Sequence, residues 1–151
     1  MDSAGELIDF GLGESVGRAL GRAVRRHRLV AAELLKPFGL FPGQEFVMMH
    51  LWRTGPVRQA GLIRGLGVDA STVTKMLARL EKAGQITRTT CADDRRALLV
   101  EATPASLELR QSIEKAWAEL EDRTVATLSD EEQTQLSALL NKVAEGLRQC
   151  P

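Results

Sequence analysis

Two stretches of this sequence carry side chains whose types and spacing suit work on a polyanion. The first is Asp69-Ala70-Ser71-Thr72-Val73-Thr74-Lys75-Met76-Leu77-Ala78-Arg79-Leu80-Glu81-Lys82. Wound as a helix, it places Val73, Met76, Leu77 and Leu80 at i, i+3, i+4 and i+7, which is one face. The face left over presents Ser71, Thr72, Lys75, Arg79 and Lys82. Hydroxyls can bond base edges or phosphates, and Lys or Arg can reach guanine or phosphate. The backbone N–H groups at a helix start also favour an anion. The second stretch is Cys91-Ala92-Asp93-Asp94-Arg95-Arg96, polar and charged between two short runs of β-formers. Arginines projecting from such a tip suit a narrow minor groove, where negative potential is concentrated. A carboxylate such as Asp94 can clamp a guanidinium in a fixed fork and so aim the second arginine.

Other chemistries lack their residues. Two distant histidines, His27 and His50, and two distant cysteines, Cys91 and Cys150, do not have metal-ligand spacing. No Gly-rich phosphate loop, nucleophile elbow or pair of catalytic carboxylates occurs, so neither an enzyme nor a cofactor is expected. Cys91 lies near Arg88, Arg95 and Arg96, whose charge favours the thiolate.

The flanking sequence must hold these two stretches. Residues 12–36 predict a long helix, with Leu12, Val16, Leu20, Val24, Ala31 and Leu35 recurring at helical spacing, ended by Pro37 and Gly39. Residues 43–54 predict a second helix, closed by Gly55-Pro56. Residues 58–66 predict a short helix, Gly65 to Val68 a tight turn, and Asp69 the cap of the helix that runs to Ala83. Residues 86–90 and 97–102 predict a hairpin. Thr103-Pro104 starts a helix to about residue 127. Ser129 and Glu132 form a capping box before a last helix with Leu136, Leu139, Leu140, Val143 and Leu147. The expected fold is mainly α with a small β-hairpin (α+β).

At 151 residues, one domain with at most a short extension is expected. The 20 basic and 20 acidic residues cancel, which excludes a uniformly basic or acidic chain. They are unevenly placed: residues 58–96 hold eight basic and four acidic residues, whereas 97–151 hold five and ten. A neutral chain thus hides a basic middle, which contains both polyanion-suited stretches. No run of 18 apolar residues is present, so no membrane span is expected. The acidic N-terminus and the low cysteine count predict a reduced, cytoplasmic setting.

Helix, tight turn, helix and charged hairpin in succession carry a resemblance. Gly55-Pro56-Val57, Leu62, Gly67 through Met76, Arg79-Leu80-Glu81-Lys82-Ala83-Gly84 and Asp94-Arg95-Arg96-Ala97 resemble the MarR family of winged helix-turn-helix transcription regulators. The resemblance spans about residues 12–148. It implies that residues 1–151 form one protomer of a homodimer. In it, helices 12–36 and 104–148 make the dimerisation region and 43–102 the winged helix-turn-helix DNA-binding lobe. The implied function is repression of a nearby operon through a pseudo-palindromic, double-stranded DNA operator. Ser71, Thr72, Thr74, Lys75 and Arg79 then fall on the recognition helix, and Arg58 and Gln59 at the start of the helix before it. Asp94 positions Arg96, which enters the minor groove beside Arg95. Gln85 stands where the family usually has an apolar residue.

The family often binds small molecules between the dimer helices and the DNA lobe. That implies release by an aromatic or carboxylate effector, with Arg18, Arg22 and His27 on the first helix and His50 and Trp52 on the second as candidates. The alternative is a helical protein-interaction module whose basic face binds an acidic protein partner.

Overall fold

The computed structural model describes Gly13 and residues 15–148. Leu12, where the first helix was expected to begin, and Cys150 lie outside the described residues. Among the described residues, six α-helices and three short strands follow one another: α1 (Val16–Leu35), α2 (Gln44–Thr54), β1 (Val57–Arg58), α3 (Gln59–Leu66), α4 (Ala70–Lys82), β2 (Ile86–Thr90), β3 (Leu98–Ala102), α5 (Leu107–Val125) and α6 (Asp130–Arg148). The expected class, mainly helical with a small antiparallel sheet, is what the chain adopts. No described helix is long and apolar enough to cross a membrane.

Side-chain caps set most helix starts, as expected at Asp69, Thr103 and Ser129 and unforeseen at Ser15. Ser15 caps α1 by accepting from the Arg18 amide. Asp69 caps α4. Thr103 accepts from the Ser106 amide ahead of α5. The Ser129 amide donates to Glu132 (2.9 Å) while the Glu132 amide donates to Ser129 Oγ (3.2 Å), a reciprocal box. At α2, Gly43 offers no capping side chain. Instead Gln44 Oε1 accepts from the Phe41 amide (2.9 Å) and Glu45 Oε2 from the Gly43 amide (2.7 Å). Gly67 turns the chain from α3 to α4 at φ 64°, a conformation that favours glycine.

The sheet has the order β1-β3-β2, antiparallel throughout. Its outer strand β1 was not anticipated: Val57 and Arg58 pair with Val100 and Leu99 before the chain turns into α3. The core lies where α2, α3, α4 and α5 cover the sheet. Val47, Met48, Val73, Leu77, Leu80, Ile86, Val100 and Ile113 are almost wholly buried there. Of the stripe expected on α4, Met76 alone is only partly buried, packed at the edge of this cluster. Trp52 ties α2 to the start of α5, its indole N–H donating to the buried Ser106 Oγ at 3.0 Å. By contrast, α6 buries none of its residues.

Candidate nucleic-acid interface

The two polyanion-suited stretches end up on one lobe. α4 turns Val73, Leu77 and Leu80 inward and leaves Ser71, Thr72, Thr74, Lys75, Arg79 and Lys82 exposed. Asp69 organises its first turn, accepting from the Thr72 amide (2.9 Å) and the Thr72 hydroxyl (2.5 Å). The Thr72 hydroxyl, the Thr72 amide and then the Ser71 hydroxyl hold the Asp69 carboxyl down at about 2. Thr74 Oγ1 donates to the Ala70 carbonyl (2.8 Å). The threonine protons are thus used inside the helix, and what faces outward is oxygen lone pairs and methyl groups. Lys75 forms no ion pair among the described residues. Arg79 is less free than its sequence position implies, because its guanidinium sits 5.3 Å from the Phe41 ring centroid.

The wing is braced against α4. Arg88 of β2 makes a two-pronged bond to Glu81 of α4, at 3.0 and 3.1 Å. That hydrogen bonding lowers the Glu81 pKa and raises that of Arg88. At the tip, the Asp94 carbonyl accepts from the Ala97 amide (3.0 Å), and its Oδ1 accepts from the Arg96 amide (3.0 Å). The expectation that Asp94 clamps a guanidinium is corrected: it shapes the turn through backbone. The acid that grips a guanidinium is its neighbour Asp93, whose Oδ2 takes a bond from Arg58 at 2.6 Å. The side chains of Arg95 and Arg96 are exposed and have no ion pair among the described residues. Gln59 is half-buried, and its Oε1 has no hydrogen-bond partner.

The five residues suggested for an effector are not gathered in one site. Trp52 is used structurally, as above. His50 lines an open cleft of about 570 Å³ between α2 and α3, with Phe46, Arg53 and Leu66. His27 lines a different cleft of about 360 Å³, between α1, α2, α4 and α5, with Phe46, Trp117 and Met76. Arg18 donates to the Gly13 carbonyl (2.6 Å), and Arg22 sits on the same first turns of α1, lining neither cleft. The sequence reading missed Glu45, which lines the second cleft although only 2% exposed. Burial raises its pKa, against the opposing bonds from its own amide and that of Gly43. Cys91 is a buried free thiol, which limits its contact with an oxidant. Among the described residues no cluster of three or more His, Cys, Asp or Glu side chains could hold a metal ion.

A helix-turn-helix followed by a two-stranded wing, with a cationic outer surface, defines a winged helix-turn-helix protein. The profile of the MarR family matches residues 41–98, from the start of α2 to the wing. The HTH-type transcriptional regulator YwoH of Bacillus subtilis is 33% identical over 109 residues, 72% of this chain and 79% of that protein. A probable transcriptional regulator from Pseudomonas aeruginosa superposes with a TM-score of 0.79 at 33% identity, covering 86% of this chain and 97% of that one. A mutant of MarR from E. coli, complexed with operator DNA, superposes with a TM-score of 0.79 at 24% identity, covering 85% and 92%, and shares the fold. The chain belongs to the MarR family. It is a transcriptional regulator and not an enzyme.

Proposed function

We propose that the chain is a homodimeric, sequence-specific DNA-binding repressor, acting in the cytoplasm and released by a small ligand. The observation that carries this reading is the pairing, on one lobe, of an α4 face bearing Lys75 with exposed wing arginines that no acid among the described residues neutralises. α4 enters the major groove and Arg96 the adjacent minor groove, with Arg95 beside it. Ser71, Thr72 and Thr74 meet bases or phosphates near the helix start. Arg58 and Gln59 reach the backbone, with Arg79 at the margin. Residues 43–102 form this lobe, and α1, α5 and α6 the dimerisation region. Leu136, Leu139, Leu140, Val143 and Leu147 lie along one side of α6, exposed on the lone protomer. Burying that stripe against a second copy gives it the apolar neighbour that the described residues do not supply.

The 360 Å³ cleft suits the effector, because it touches both the dimer-region helices and Thr72 and Met76 of α4. Phe46 and Trp117, in tilted contact with each other at 5.1 Å between ring centroids, supply one aromatic surface against which a ring of the ligand packs. A carboxylate on that ligand must face His27 and Arg28, away from Glu45.

Arg96→Ala and Lys75→Ala, titrated against a selected duplex by fluorescence anisotropy, test the docking. Each should weaken binding about tenfold or more, with no drop in melting temperature. Wild-type affinity in both variants contradicts the reading.

A further inference from the structure

Asp93 has no role in that account, and its placement is at first sight unfavourable. It is a carboxylate, its side chain 72% exposed, on the wing that is read as facing a polyanion. Yet it is the acid the wing uses to reach the rest of the lobe. Its bond to Arg58 joins positions 35 residues apart, the wing loop on one side and the junction of β1 and α3 on the other. Among the described residues, no other side-chain hydrogen bond links residues 91–97 to another element. Arg58 has five N–H donors, of which Asp93 takes one. The guanidinium remains about half exposed and lines, with Arg96, a cleft of about 380 Å³ between α3 and the wing. One nitrogen is thus anchored, and Arg58 lines the same cleft as Arg96.

We propose that Asp93 is a positioning residue for DNA binding: through Arg58 it sets the distance from the wing to the start of α3, and it aims the free edge of that guanidinium at a backbone phosphate. The inference rests on the DNA-binding reading above and adds a residue to it. An exposed ion pair adds little to folding stability. Its effect falls on binding, because a wing already in place need not be ordered when the duplex docks. Charge alone predicts the opposite sign: deleting an acid from a surface that meets phosphates should strengthen binding.

The test uses the full chain, a duplex selected by the wild-type protein, and Asp93→Ala with the charge exchange Arg58→Asp/Asp93→Arg. Asp93→Ala should bind about three- to tenfold more weakly. Its slope of log affinity against log salt should be shallower by about one per protomer. In the DNA-free protein, the amides of Arg96 and Ala97 should exchange hydrogen faster in Asp93→Ala and at the wild-type rate in the charge exchange. Equal or tighter binding by Asp93→Ala, or wing exchange that neither variant alters, overturns the inference while leaving DNA binding intact. Failure of the wild type to retain any duplex removes the parent reading, and this one with it.

Discussion

Asp69 shows how much one side chain can set. Its carboxylate ends the turn after α3, fixes the first turn of α4 and consumes the Thr72 hydroxyl proton, leaving that hydroxyl to act toward a base edge as an acceptor. These bonds also make the helix start sensitive to acid. The carboxyl titrates at about 2 in the folded chain against an ordinary 3.8, so the unfolded chain binds the proton first. Its contribution is therefore complete above about pH 4 and is lost as pH falls toward 2. Asp69→Asn, which can still cap but does not titrate there, should flatten the acid limb of the stability curve by up to about one proton, measured by urea unfolding between pH 2 and 5. An unchanged limb contradicts the role given to this carboxylate. The cap was legible because Asp before an amphipathic run has one common meaning. The division of labour between Asp93 and Asp94 was not. Adjacent acids look alike in sequence, and only the wing's path shows that one faces its own turn and the other faces Arg58. Glu45 was hidden for a related reason: an acid in a first helical turn is ordinary, and its burial depends on α1 and α5 arriving from both ends of the chain.

At the scale of elements, the helices were legible to within a few residues because their apolar stripes and caps agree. The strand β1 was not, since two residues after Gly55-Pro56 have no period to read, and the pairing that makes them a strand lies more than 40 residues downstream in β3. α6 is the reverse case. Its apolar stripe is plain in the sequence, and the described residues of the protomer leave it uncovered: Leu139 is 60% and Leu147 66% exposed. Burying a leucine contributes about 1.5–3 kcal/mol, and a twofold interface counts it twice. Leu140→Glu should therefore raise the dimer dissociation constant at least about tenfold in analytical ultracentrifugation, with helix content unchanged by circular dichroism. A variant that sediments as the wild type does, at matched concentrations, contradicts the assignment of this face.

The whole molecule explains why a chain with no net charge can bind a polyanion. Its acids are concentrated after residue 97, in α5 and α6, while the surplus of cations sits in the lobe of α3, α4 and the wing. That segregation points the lobe toward the duplex and keeps the acidic helices away from it. The largely apolar cleft between the lobe and helices α1 and α5 then lies where, on the proposed reading, a ligand can shift one relative to the other. The sequence conveyed the lobe almost completely, since its signals are local. It conveyed the cleft proposed for the effector poorly, since the residues lining it come from five helices spread from His27 to Trp117.

The central claim is that two such lobes, held by one pair of dimerisation regions, grip a common duplex. Selection of bound sequences from a random duplex pool by the full-length wild-type protein tests it most directly. The account predicts an enriched site made of two inverted half-sites, centred about one helical turn, ~10 bp, apart. Enrichment of a lone half-site, or of no sequence at all, would contradict it.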